Sequence, residues 1–273
     1  MFELLINDLS KKEEVKAIVL GGSRATGKFD LKSDYDIYVY TSKSIDENTR
    51  YLIFNPYVKY MEYSNNFWEL EDDGILKNGI DIEIIYRDIN SIETNLMSTI
   101  KGNISHGYST CFLDNFLNSI VLYEEDQVIT QIRKRLSQID FSEMFDKIII
   151  ENMKLLRDYM PSLFYQIEKA LNRHDIISIN HRLTEYFSIV FDILFALNKT
   201  MHPGEKRLME LSKSLELLPQ DFEYLVTHIF DNAFIDSNKS RASLEILTRN
   251  IYQLVQDQNY NITYCSYEKD HSL

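Results

Sequence analysis

The sequence predicts an α+β chain: an N-terminal domain built on a mixed sheet covered by helices, residues 1–135, followed by a C-terminal helical bundle, residues 136–273. Three observations carry this. Short apolar, strand-like runs alternate with helical patterns over the first half of the chain, which implies one sheet with helices against it. Strand signals nearly vanish after residue 140. The long stretch Ile176 to Leu197 is apolar over much of its circumference, as a helix inside a bundle is.

Taken in order, Phe2 to Leu9 reads as a short helix. Ala17-Ile18-Val19-Leu20 is an apolar run closed by two glycines, a buried strand and its turn. A second strand is expected over 34–41. Ser44 to Tyr51 reads as a helix with Asp46 and Glu47 in its first turn, and Val58 to Tyr63 alternates as a strand. Asp72-Asp73-Gly74 is read as a turn ahead of the β-branched, alternating run Gly79 to Asp88. Asp88 or Ser91 caps a helix that opens there. The chain divides between residues 125 and 140. Beyond it, Phe141 to Met160 carries helical spacing that Pro161 ends or restarts. Pro203-Gly204 and Leu218-Pro219 separate further helices, the last near 239–257. The tail is polar, with Tyr260 to Tyr267 able to pack as a short strand.

Composition narrows the setting. An apolar fraction of 44% and an aromatic fraction of 12% suffice for two cores. The two cysteines, Cys111 and Cys265, are far apart and lack metal-like spacing, so neither a disulfide framework nor a zinc site is expected. The chain starts Met1-Phe2-Glu3-Leu4, without the basic start of a signal peptide, and no apolar run approaches a membrane span, so a cytoplasmic protein without membrane contact is expected. Acids outnumber bases 42 to 29, a net charge of −13, and no dense Lys/Arg tract appears. That balance argues against a nucleic-acid partner and mildly for cationic small molecules.

The chemistry concentrates at Gly21-Gly22-Ser23-Arg24-Ala25-Thr26-Gly27 and Ser33-Asp34-Tyr35-Asp36-Ile37. Glycines after a buried strand let the backbone approach a ligand, and the amides that follow make an anion site. The Ser23 hydroxyl and the Arg24 and Lys28 charges add phosphate partners. Asp34 and Asp36 share one strand face because side chains alternate. Two such carboxylates repel unless a cation lies between them, and oxygen-rich pairs that share phosphate oxygens suit Mg²⁺. Alone, Asp-x-Asp is a common solvated strand edge and Gly-Gly-Ser only a turn. Jointly they point to an enzyme working on a nucleoside triphosphate. The loop is not of the Walker type, because no Gly-Lys-Ser/Thr follows the glycines.

Gly22-Ser23, ten intervening residues, then Asp34-Tyr35-Asp36-Ile37 resembles the signature of the DNA polymerase β-like nucleotidyltransferase superfamily. Within it the chain looks like the bacterial antibiotic nucleotidyltransferases, which adenylylate aminoglycosides or lincosamides and carry a helical domain after the catalytic one. The resemblance is specific over about residues 15–90. It implies a third acid. Asp81 and Glu83 share one face of their strand. Glu83 is favoured because Glu-Ile-Ile-Tyr-Arg looks like the family's acid-apolar-apolar-Tyr-Arg segment, and Asp81 is the alternative, which spacing does not separate.

The expected site therefore has Asp34, Asp36 and Glu83, with Asp81 in reserve, as catalytic acids. Asp34, Asp36 and Glu83 hold Mg²⁺, and Gly22, Ser23, Arg24, Ser33 and Lys206 hold the nucleotide, ATP or another NTP. Lys206, in Pro203-Gly204-Glu205-Lys206-Arg207, is read as starting a helix. The implied reaction passes a nucleoside monophosphate, AMP first, to a hydroxyl of a small acceptor and releases pyrophosphate, as in antibiotic resistance. A protein or RNA target is one alternative, and a non-catalytic nucleotide-binding regulator another. A homodimer that completes the site across chains is also compatible with the sequence. His174, His181, His202 and His228 are scattered without ligand spacing and read as surface or core histidines. Arg182 and Glu185 are either paired structurally or part of an acceptor cleft.

Overall fold

The structure is a computed structural model and describes residues 1–25, 27, 33–66, 69–103, 107–160 and 162–262. Thr26, Lys28, Pro161, Cys265 and most of the segment Tyr260 to Tyr267 lie among the remaining residues, outside those described. The chain forms two compact units, Met1–Ser98 with Phe112–Asp140, and Thr99–Cys111 with Phe141–Leu273.

The first unit opens with α1 (Phe2–Leu9), β1 (Val15–Leu20), the single turn α2 (Gly22–Ala25) and β2 (Tyr35–Thr41). Next come α3 (Glu47–Phe54), β3 (Val58–Asn65), β4 (Glu71–Leu76) and β5 (Asp81–Asp88). It continues through α4 (Ile89–Ile100), α5 (Cys111–Asn118), β6 (Ile120–Glu124) and α6 (Val128–Leu136). The six strands make one mixed sheet in the order β3-β4-β5-β2-β1-β6. Only β2 and β5 run parallel, with Asp36 opposite Glu83 and Ile37 opposite Ile84; the other neighbours are antiparallel. Alternation sends Ile37, Val39, Ile82 and Ile84 to one face, where they meet Leu5, Ile6 and Leu9 of α1 and Ile53 and Phe54 of α3 in a buried core. The carboxylates at the odd positions of β5 and even positions of β2 leave by the other face.

Two local expectations shift. Asp72-Asp73-Gly74 is not a turn but the middle of β4. Polar and glycine residues looked like punctuation, yet each has a strand role. The Asp72 carboxylate is fully buried and paired, and Gly74 leaves room for the neighbouring strand, since a Cβ there would come 2.7 Å from the Tyr60 carbonyl oxygen. The helix read from Ser44 starts later, at Glu47, because Asp46 is its cap and accepts from the Thr49 amide at 3.0 Å. At the far end of β5, Asp88 accepts from the Asn90 amide at 3.0 Å and turns the chain into α4.

The second unit contains α7 (Ser142–Met153), α8 (Leu163–Arg173), α9 (Ile176–Leu197), α10 (Leu208–Ser212), α11 (Phe222–Asn232) and α12 (Ser237–Asp257), and its described residues include no strand. The helix read over 141–160 is regular only to Met153 and continues as a wider π-helical turn, Lys154–Asp158. There Arg157 is drawn inward onto the Phe164 ring, 4.1 Å from its centroid, and onto Glu245 at 2.7 Å. α9 is buried from Ile189 to Leu197, as its all-round apolar sequence requires. Its one buried acid, Asp192, accepts from the Ser109 amide and from Asn152, both at 3.0 Å. No helix among the described residues is long and apolar enough to cross a membrane.

Candidate active site

The turn after β1 is shaped by the strand beside it. The Gly21 amide donates to the Asp36 carbonyl at 2.8 Å, which draws the glycines over β2. Gly22 has φ +61°, and a Cβ there would overlap the Asp36 carboxylate. Only glycine meets both demands, so Gly22 fixes how closely the α2 backbone approaches the acid. Ser23 and Arg24 follow on α2, half-buried.

The acids lie in a row across three strands. Asp36 of β2 is opposite Glu83 of β5, and Glu83 is opposite Asp73 of β4. The three side chains therefore leave one face of the sheet side by side. Glu71, two positions from Asp73, joins them, and carboxylate oxygens of Glu71, Asp73 and Glu83 lie within 4.8 Å of one another. Asp34 stands half-buried at the entrance to β2, and Asp81 is exposed at the start of β5. The structure thus sets Glu83, rather than Asp81, directly beside Asp36. Glu71 and Asp73 escaped the sequence reading because their stretch passed for a turn; Glu71-x-Asp73 alternation ahead of another strand was the signal.

Three acids of this row, Glu71, Asp73 and Glu83, have no basic side chain within salt-bridge distance among the described residues. Burial pushes the Glu83 carboxyl up to about 7, and the charges of Asp36, Glu71, Asp73 and Asp34 add to it. Burial, then Asp73 and Glu69, raise Glu71 as well. Arg87, the cation at the end of β5, is committed elsewhere: it clamps Glu69 with two hydrogen bonds of 2.8 and 2.6 Å and lies over the Tyr38 and Phe112 rings. A half-buried row of hard oxygen donors with no built-in cation fits a divalent ion such as Mg²⁺.

Other expected residues sit as follows. The Ser33 carbonyl accepts from Arg24, and the Arg24 guanidinium lies 4.1 Å from the Tyr35 ring centroid. Lys206 is exposed in the second unit, in the turn two residues ahead of α10 and not within a helix. Arg182 and Glu185 pair with each other at 2.7 Å on the exposed side of α9. His202 is buried against Tyr108 and Phe195, accepts at Nδ1 from the Gly204 amide at 3.1 Å, and is held down to about 4 by burial.

Residues 3–82 match the family model "Polymerase beta, Nucleotidyltransferase", a span that includes Gly22, Ser23, Asp34, Asp36 and Asp81. Residues 3–82 carry a polymerase β-type nucleotidyltransferase domain. Enzymes with this domain use a nucleoside triphosphate and divalent metal ions, which agrees with the acidic row. Solved structures similar to this chain include a nucleotidyltransferase-like protein from Exiguobacterium sibiricum, at 10% identity and TM-score 0.42, covering 92% of this chain and 72% of that one. Another is an aminoglycoside 6-adenyltransferase from Bacillus subtilis, at 12% identity and TM-score 0.32, covering 96% and 92%. A third is the Thermotoga maritima CCA-adding enzyme complexed with tRNA, at 11% identity and TM-score 0.31, covering 97% and 83%. No curated protein matches the chain.

Proposed function

We propose that this nucleotidyltransferase passes a nucleoside monophosphate, AMP from ATP first among donors, to a hydroxyl of a small-molecule acceptor such as an aminoglycoside- or lincosamide-like antibiotic. The observation that carries the reading is the register of Glu83 opposite Asp36, with the Gly22 backbone seated against the same aspartate. Asp34, Asp36 and Glu83 would hold Mg²⁺; when bound, the ion neutralises charge on the reacting phosphate. The Gly22 backbone, the Ser23 hydroxyl and Ser33 would hold the triphosphate. As an alternative to ligating the ion, Glu83 would accept the proton of the acceptor hydroxyl at a carboxylate oxygen, a role for which Asp81 is the other candidate. The acceptor oxygen bonds to the α-phosphorus as the bond to the bridging oxygen breaks, and pyrophosphate leaves. The acidic composition favours a cationic acceptor over a polynucleotide.

The test is direct. Purified protein with Mg²⁺ and each of the four NTPs is offered a panel of aminoglycosides and lincosamides, and pyrophosphate is measured. Release with at least one acceptor, with a matching mass increase of that acceptor, is expected. No release with any acceptor, alongside labelling of proteins or RNA in a lysate supplied with labelled ATP, would replace the small-molecule reading.

A further inference from the structure

We propose that Arg24 is a positioning residue: its guanidinium clasps the chain that leads into Asp34 and so sets the metal-binding acid, instead of binding the triphosphate. The proposal rests on the metal role given above to Asp34 and Asp36. Three observations support it.

Arg24 reaches across nine residues of sequence to the far side of the loop. Its Nε donates to the carbonyls of Ser33 and Asp34 at 2.9 and 2.8 Å, and Nη2 donates to Ser33 at 2.5 Å. These are backbone acceptors of the residue before Asp34 and of Asp34 itself. A fork of fixed geometry on two successive carbonyls fixes the direction in which the chain enters β2.

The guanidinium is also held flat. It lies 4.1 Å from the centroid of the Tyr35 ring, while Phe2 of α1 stacks on the same ring at 4.1 Å and 13°. Two groups at that distance cannot share one face, so Tyr35 is sandwiched between Phe2 and Arg24. Leu5, Ile6 and Leu9 of α1 belong to the buried core. The clasp is therefore tied to the core of the domain through Phe2, and Asp34 lies between two anchored points, the Arg24 fork and the Tyr35 sandwich.

The attachment of the guanidinium by both edge and face points the same way. The guanidinium has five N–H groups; its Nε and an Nη2 group are engaged with the backbone, and its face is spent on Tyr35. A residue whose main purpose was to follow a departing phosphate would not be tied on both its edge and its face. The Ser33 and Asp34 carbonyls, in turn, gain charge-assisted donors that a neutral side chain would not supply.

The experiment compares wild type, Arg24→Ala, Arg24→Lys and Asp34→Asn by Mn²⁺ binding without nucleotide, using the loss of the free-ion EPR signal, and by ATP binding in EDTA, using calorimetry. Both clasp variants are expected to weaken Mn²⁺ binding about 10- to 100-fold, as removal of groups that orient metal ligands does, with metal-free ATP affinity unchanged. Arg24→Lys is the informative variant: it keeps a charge for phosphate but cannot span two carbonyls or stack on Tyr35. Added guanidinium ion should restore Mn²⁺ affinity to Arg24→Ala. Should that variant fail to fold, the lysine variant alone decides. Mn²⁺ affinity as in wild type for Arg24→Lys, or a selective loss of metal-free ATP binding in either variant, would overturn the proposal. Failure of the underlying metal reading looks different, because Asp34→Asn would then bind Mn²⁺ as wild type does.

Discussion

The stretch Glu71-Asp72-Asp73 sends its carboxylates to opposite faces of one sheet, and the two faces treat them oppositely. On the core face, Asp72 is fully buried and Arg50, itself 3% exposed, pairs with it; Tyr86 and the Ser64 amide add hydrogen bonds at 2.9 Å each. On the other face, Glu71 and Asp73 gather with Glu83 beside Asp36, and no cation among the described residues answers them. The structural face brings its own positive charge. The working face leaves that charge to be supplied by what binds. The same carboxylate chemistry is thus a strut on one side and a receptor on the other, and a single step along β4 decides which.

The largest expected effect lies on the working face. Asp36→Asn should cut pyrophosphate release about 10³-fold or more, several kcal/mol of transition-state stabilisation, while the far-UV spectrum and melting transition stay near wild type. Unchanged turnover would end the metal assignment. On the other face the pattern should reverse. Arg50→Ala leaves Asp72 buried without its partner and should cost about 3–5 kcal/mol in urea unfolding, with Mn²⁺ affinity of the folded protein unaffected. Gly22→Ala forces a Cβ onto Asp36 at positive φ and should destabilise by about 1–3 kcal/mol, with activity lost beyond what the stability change explains.

Glu83→Gln and Asp81→Asn separate the candidate third acids: the register beside Asp36 predicts the larger fall in kcat for Glu83→Gln. Glu83 also gives the metal-free protein a pH dependence. Its folded-state value is raised from 4.5 to about 7, so the folded state holds the proton more tightly than the unfolded chain. That contribution is complete below about 4.5 and is lost as pH rises through about 7. Metal-free wild type should therefore lose more stability between pH 5 and pH 8 than Glu83→Gln does, by thermal denaturation. The smallest effect belongs to Glu71→Gln, which removes the second-largest of the charges that raise Glu83 and should narrow slightly the stability that metal-free protein loses between pH 5 and pH 8, by thermal denaturation.

Strong local patterns were legible without the fold. The alternation of Asp81 to Asp88 and the largely apolar circumference of Ile176 to Leu197 both follow from local side-chain periodicity, which the chain carries wherever it is placed. Gly22-Ser23 and Asp34-x-Asp36 were legible too, because the close backbone approach and the paired carboxylates restrict residue type at each position. β4 was not legible. Asp72 and Gly74 look like turn residues until Arg50, over twenty positions earlier, and the Tyr60 backbone on the neighbouring strand are in place. The acids Glu71 and Asp73 were hidden with it. Arg24 shows the same limit: as a basic residue after a glycine turn it reads as a phosphate partner, and only the position of Ser33, Asp34 and Phe2 around it reveals the clasp.

The sequence by itself determined the parts list: a strand-and-turn with glycines that admit a ligand, two carboxylates on one strand face, a third on a later strand, and a helical second half. Each depends on local conformational preference or on side-chain alternation. The tertiary structure decided which acid of β5 stands beside Asp36, because the parallel register of β2 and β5 sets Glu83, not Asp81, opposite it. It also decided which carboxylates are neutralised and which are left for a cation, because that depends on the charges other segments bring to each face of the sheet.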